Sequence, residues 1–186
     1  MTEISKNTLE VGTNGSGEVV VNHPDLRPDE NGVGHIIFSP QQARTLAFLL
    51  QQKAHSAEEE IIEKRRQEAE KIPVDRSAQI LTDGSPVPED RSHTSLRPNG
   101  QQEGYVVLSP AERAKGFVRP YRDAYRHMKC GKITTMNRSI SETYARDPAF
   151  YTGTFCATCG AHFPIGEDGE FVWYEMNGTT GPKVGT

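Results

Sequence analysis

Three cysteines in a chain of 186 residues are too few, and odd in number, to staple a secreted mini-domain, so a disulfide framework is excluded. Long apolar runs are missing too. Nothing approaches the roughly 18 apolar residues of a membrane span, and the opening MTEISKNTLEVGTNGSG has neither the basic nor the apolar region of a secretory signal. Aromatic residues are almost absent from the first 104 positions, where only Phe38 and Phe48 occur; the other 12 lie between Tyr105 and Thr186. Leu, Ile, Val and Phe together make 37 of the 186 residues, a share on the border between folded and disordered chains. Large core-forming side chains are therefore concentrated in the last 82 residues, and the chain reads as soluble, in a reducing compartment.

A strong excess of positive charge is also lacking. The net charge is −4, which argues against a generic nucleic-acid coat, because non-specific binding comes mainly from Lys and Arg neutralising phosphates. The average hides an asymmetry. Residues 1–104 carry a net −6 and 105–186 a net +2, and within the latter the segment 112–146 holds nine basic residues against three acidic ones. Lys115, Arg119, Arg122, Arg126 and Lys129 are spaced four, three, four, three, which would align them on one helical face, with Lys132 nearby and Tyr121 and Tyr125 available for stacking. Pro120 interrupts that helix, and the acidic tail from Asp147 onward offers neutralisation within the fold.

The chain divides into four stretches. Residues 1–17 are polar and aperiodic and read as a flexible N-terminus. Residues 18–72 begin with two β-branched runs, EVVVNHP and GVGHIIFS, which read as a hairpin with a long loop. Ser39-Pro40-Gln41-Gln42 then combines a hydroxyl N-cap, Pro at the first helical position and Gln three residues after the cap, so a helix is expected to start at Pro40 and end before Pro73. Its apolar seam, Ala43, Ala47, Leu50, Ala54, Ala57 and Ile61, alternates steps of four and three. The expectation is one long amphipathic helix lying on the hairpin, with self-association through its distal half as the alternative and a partly disordered charged segment as the third reading. Residues 73–104 lack aromatics and are rich in helix and strand breakers, and read as a disordered linker. Residues 105–186 open with YVVLSPAERAKGF, which repeats the strand, Ser-Pro, helix grammar of HIIFSPQQARTLAF, with Ser109 as cap and two helical turns expected before Gly116 and Pro120.

All three cysteines fall in two matching pentapeptides, HMKCG (127–131) and CATCG (156–160). Each presents a ligand-type residue, two spacers, a Cys and a Gly. The two spacers let both donors face one side of a tight turn, and a Gly after the second donor accepts positive φ. His127, Cys130, Cys156 and Cys159 form a Cys3His set for which tetrahedral Zn2+ in a structural role is the natural occupant. His162, three residues after Cys159, is the competing fourth ligand. His127 is preferred because it gives each turn two donors, which leaves His162 a place behind the ligands. Between the knuckles KITTM reads as a strand, SISETYARDP as a helix capped by Ser139 or Ser141, and AFYTGTF as a strand; AHFPI and EFVWYEM follow, ending in a hairpin. The fold class is α+β, with a zinc-ribbon-like or treble-clef-like module at 105–186.

The segment HMKCGKITTMNRSISETYARDPAFYTGTFCATCGAHFPIGEDGEFVW resembles a zinc-binding segment of uncharacterised small proteins of bacteriophages and prophages, over roughly the last 80 residues and more loosely over HIIFSPQQARTLAFLL. Its knuckle residues match His127, Cys130, Cys156 and Cys159. The resemblance implies a phage origin, and so a location in the host cytoplasm or with the virion, and brings no activity.

Catalytic grammar is missing. There is no H-x-E or C-x-E with P-C-x-x-C of a zinc deaminase, no H-E-x-x-H, no G-x-S-x-G, no P-loop and no G-x-G-x-x-G. The expectation is a non-enzymatic structural-zinc protein acting as a protein-interaction module, with itself, a host protein or a virion protein as partner. Nucleic-acid binding through the basic 113–138 segment is the alternative, and a metal-dependent enzyme the third reading. No membrane and no small-molecule substrate is implied.

Overall fold

A computed structural model describes residues 10–13, 17–22, 35–175 and 179–186. The chain forms two compact units, Met1–Ile61 and Ile62–Thr186, so the division falls inside a helix and not at a linker. In the first unit β1 (Glu10–Thr13), β2 (Val19–Asn22) and β3 (His35–Phe38) make an antiparallel sheet in that order. The hairpin of β2 and β3 is as expected, with Val20 opposite Ile37. β1 is a correction, because it lies in the stretch read as a flexible terminus. Val11 there pairs with Val21 and extends the sheet by one edge strand. The long loop expected between β2 and β3 lies outside the described residues.

Helix α1 (Pro40–Glu70) starts and stops where the sequence signals place it. Its capping box is closed in both directions: the Gln42 amide donates to Ser39 Oγ at 3.2 Å, and the Ser39 amide to Gln42 Oε1 at 2.9 Å. The expected packing of its seam on the hairpin is not seen. Ala43 and Leu46 are half-buried, whereas every residue from Ala47 to Ile62 is exposed.

The second unit holds the far end of α1 and everything after it. Residues 73–104, expected to be disordered, are folded. β4 (Gln79–Leu81) pairs antiparallel with β5 (Val106–Leu108), and a 3-10 turn covers Ser92–Thr94. The physical reason is an Asp-x-Ser pattern that occurs three times. Asp75, Asp83 and Asp90 accept from the amides of Ser77, Ser85 and Ser92 at 2.9–3.0 Å, each closing a local turn that needs no apolar core. Hydrogen bonds from the same serines, the hydroxyl first for Asp75 and Asp83 and the amide first for Asp90, hold the three carboxyls below their usual range.

α2 (Pro110–Arg113) is one turn long, not two, although Ser109 caps it as expected. The N-cap of α3 (Arg138–Arg146) is Asn137 and not a serine; its side chain accepts from the Ile140 amide at 3.0 Å. α3 carries Arg146, fully buried, whose guanidinium donates to the carbonyls of Ala69 in the last turn of α1 at 3.0 Å and of Ile72 just past it at 2.9 Å, and to buried Glu112 at 3.1 Å. A cation thus closes the carbonyl end of α1, where unsatisfied C=O groups and the helix dipole favour it. Ala69 is buried there, and a side chain on Gly116 would come within 3.0 Å of its Cβ.

The remaining strands are β6 (Ala124–His127), β7 (Ile133–Thr135), β8 (Gly153–Cys156), β9 (Ala161–Pro164), β10 (Phe171–Tyr174) and β11 (Thr180–Lys183). They form a four-stranded sheet, β11-β10-β6-β7, and a separate β8–β9 hairpin. Tyr125, Tyr144, Cys156, Phe171, Trp173 and Val184 are the buried core between these elements and α3. The aromatic-rich end of the sequence is the packed one, as its composition implies.

The Arg146–Glu112 pair gives a test of this framework. Burial alone would raise the Glu112 carboxyl, but its bonds to Lys115 and Arg146 outweigh that and hold it below the usual range. Glu112→Gln leaves a buried guanidinium short of its counter-charge and is expected to lower the unfolding free energy by about 3 kcal/mol at neutral pH. Because the folded-state carboxyl titrates below the unfolded one, this contribution is complete above roughly pH 4.3 and is lost as pH falls through the lower folded value. Denaturant titrations of both proteins across that range should show the gap closing on the acid side. A gap that is constant with pH would contradict the pairing.

Candidate metal centre

His127 is the last residue of β6 and Cys130 sits in the turn to β7; Cys156 is the last residue of β8 and Cys159 sits in the turn to β9. Each pentapeptide is therefore the turn of a β-hairpin. Both turns close identically, with the Gly131 amide donating to the His127 carbonyl at 2.7 Å and the Gly160 amide to the Cys156 carbonyl at 2.9 Å. The glycines take φ of 72° and 63°, the left-handed conformation that their position after the second donor calls for.

The two turns face one another. One ligand atom from each of His127, Cys130, Cys156 and Cys159 lies within 4.8 Å of all the others. Cys130 Sγ is 3.6 Å from Cys156 Sγ, and Cys159 Sγ is 3.5 Å from His127 Nδ1. A zinc ion with bonds of about 2.3 Å to sulfur and about 2.0–2.1 Å to nitrogen has tetrahedral edges of about 3.8 Å between sulfurs and about 3.6 Å between sulfur and nitrogen. The donor spacing fits such an ion, and all three cysteines are free thiols.

Protein bonds hold the turns together. Tyr125 on β6 donates its hydroxyl to the Phe155 carbonyl beside Cys156, and the Ala157 amide inside the second turn donates to Thr134 Oγ1 on β7. The thiols also influence one another. Burial would raise the Cys156 thiol, but hydrogen bonds from Cys159 and Cys130 hold it below its ordinary value, while Cys159 is pushed up to about 11 by its bond with Cys156.

His127 is 2 % exposed, and its ring packs against both Phe163 and Phe171, with centroids at 4.6 and 4.7 Å. With Nδ1 toward the sulfurs, Nε2 faces away and meets Glu170 Oε2 at 2.8 Å; Lys129 holds the other carboxylate oxygen at 2.7 Å. This is the carboxylate–histidine arrangement that fixes the tautomer of a metal-binding imidazole. Lys129 first, then His127, keep the Glu170 carboxyl below its usual range. Glu170 carries no signal of its own in the sequence. It becomes visible only through the register of β6 and β10, where its neighbour Phe171 pairs with His127.

His162, the competing ligand, lies outside the cluster. Its Nε2 is 3.1 Å from the Tyr105 hydroxyl, and burial lowers its basicity. The basic stripe is not a helical face either, because α2 ends at Arg113 and β6 begins at Ala124. Lys115 pairs with Glu112, Arg122 with Glu175 and Lys129 with Glu170. Arg119 donates to the Thr186 and Val118 carbonyls, and Arg126 lies over the Tyr174 ring at 5.6 Å. Lys132 contributes its carbonyl, which accepts the His127 amide at 3.0 Å. Tyr125 is in the core and cannot stack on a base.

Residues 73–104 reach the site as well. Gly100, at φ 82°, packs its backbone on the second turn so closely that a Cβ would fall 1.8 Å from the Gly160 carbonyl oxygen.

Comparison of the chain with family models, with curated proteins and with solved structures finds no match. Among the described residues, no helix is long and apolar enough to cross a membrane.

Metal analysis of variants checks the ligand set. His127→Ala is expected to lose bound metal and His162→Ala to keep it; the reverse would overturn the assignment. Glu170→Gln should weaken metal affinity by roughly 10- to 100-fold in a competition titration. Gly100→Ala, 27 residues from His127 and 56 from Cys156 in sequence, should also release metal more readily, and wild-type affinity in that variant would show that the Gly100–Gly160 contact does not support the turn.

Proposed function

We propose that this protein is a non-enzymatic zinc protein whose C-terminal module serves protein interaction, with Zn2+ held by His127, Cys130, Cys156 and Cys159. The observation that carries the reading is the closed donor set. Four protein ligands complete a tetrahedron, and the one imidazole among them has its second nitrogen engaged by Glu170. No coordination position is left for water or substrate, which is the pattern of structural zinc. Three thiolates at one point also suit zinc over the hard cations, and suit a reducing compartment. Because both knuckles are β-hairpin turns and neither opens a helix, a ribbon-like module fits better than a treble clef.

Zinc in this place supplies folding energy. The core of the module is small, and a structural ion contributes roughly 10–16 kcal/mol of apparent binding free energy in comparable peptides. Protein interaction is favoured over nucleic-acid binding because Lys115, Arg122 and Lys129 each already face a carboxylate. A phosphate contact would have to break one such pair for each counter-ion it released.

Purified protein is expected to contain one zinc per chain and to lose much of its thermal stability in a strong chelator, with recovery on adding zinc. A melting curve unmoved by chelation would refute the structural role. At about 50 mM salt, where phosphate contacts are strongest, neither DNA nor RNA should bind; salt-sensitive binding there would favour the nucleic-acid reading.

A further inference from the structure

Helix α1 leaves a face uncovered that the metal reading does not use. Its 31 residues span about 46 Å, and an isolated helix is marginal in water without tertiary packing. Yet Leu50 is 60 % exposed and Ile61 49 % exposed, with Ala47, Ala54 and Ala57 exposed between and beside them. Written as a heptad, Ala47, Ala54 and Ile61 occupy a, and Ala43, Leu50 and Ala57 occupy d. Ala69, the buried residue at the end of the helix, falls at b, and the a and d positions from Ala47 to Ile61 are exposed, with Ala43 half-buried.

The charges flanking the seam choose the occupant. Lys53 and Glu60 fall at g, Glu58 and Arg65 at e. In a parallel in-register pair, g of one helix meets the following e of the other. That sets Lys53 against Glu58 and Glu60 against Arg65, twice each by symmetry, with Leu46 against Gln51 as the remaining neutral pair. No like charges meet across these positions. An antiparallel pair that overlaps the whole seam would instead set Lys53 against Lys53. Beyond Ile61 the seam positions become Lys64 and Glu68, and each would face its own copy, so the pairing ends there. The four flanking residues are also available. His55, Glu63, Arg66 and Glu70 take part in ion pairs within the helix, and among the described residues Lys53, Glu58, Glu60 and Arg65 take part in none.

We propose that α1 pairs with α1 of a second copy of this chain as a short, parallel, in-register coiled coil over Ala43–Ile61. The proposal goes beyond the reading above and does not rest on it, since the seam lies in the first unit and involves none of the metal ligands.

The test is sedimentation of the full-length, zinc-loaded protein at micromolar concentration, with metal content measured on the same sample. A dimer is expected for wild type, a monomer for Leu50→Glu combined with Ile61→Glu. Lys53→Glu should weaken the dimer by roughly tenfold or more, and adding Glu58→Lys in the same chain should restore it. Ala54→Cys, at a, should cross-link to its own copy on oxidation, as identified by peptide mapping, whereas Gln52→Cys, on the outer face, should not. A monomeric wild type overturns the proposal, as does a dimer that survives the double glutamate variant or fails to cross-link at position 54. A dimer without bound metal would contradict the zinc reading and leave this one standing.

Discussion

Four side chains from two turns 26 residues apart must reach one point, and much of the second unit can be understood as the means of getting them there. The turns are copies in backbone geometry, each closed by the same amide-to-carbonyl bond and each released by a glycine in the left-handed region. What differs is their anchoring. The first turn hangs from the centre of the four-stranded sheet through β6 and is tied to β10 by the Glu170–His127 bond. The second belongs to a two-stranded hairpin, which alone is marginal. It relies on Tyr125, Thr134 and the Gly100 loop to hold it opposite the first. A metal ion bridging both would make the two sheets one body.

The basic residues of this region are structural in the same sense. Arg146 sits buried beneath the end of α1, and Lys129 steadies Glu170 behind the histidine. Part of the charge that reads as a surface patch in the sequence is paired with acidic side chains and helix-end carbonyls, whereas Arg126 lies on the Tyr174 ring and Lys132 bonds through its backbone. A buried guanidinium with several carbonyl acceptors and a carboxylate is well compensated, and this explains why so small a domain can contain one. The same economy runs through residues 73–104, where short Asp-x-Ser turns stand in for an apolar core.

The donor set was legible because its signal is local: spacing, residue type and the glycine after each second donor lie within five residues. The starts of α1 and α2, both fixed by Ser-Pro, were legible for the same reason. What stayed hidden around the site and beneath α1 has one physical source. Glu170, Gly100 and Arg146 act across strand registers or between segments far apart in sequence, and no window on the chain contains both halves of those contacts. The reading of 73–104 as a tether failed differently. It counted apolar side chains and overlooked turn hydrogen bonds that were visible in the three Asp-x-Ser repeats. α1 shows the converse case, where a correct periodicity did not specify what covers the face it creates.

Three sulfurs and one nitrogen closing around a single zinc ion would leave a distinct first shell at the metal. X-ray absorption at the zinc edge of the purified protein measures this directly. Three sulfur neighbours at about 2.3 Å and one nitrogen at about 2.0–2.1 Å are expected, with no further light scatterer in the first shell. A first shell with two sulfurs, or one that includes an oxygen from water, would contradict it.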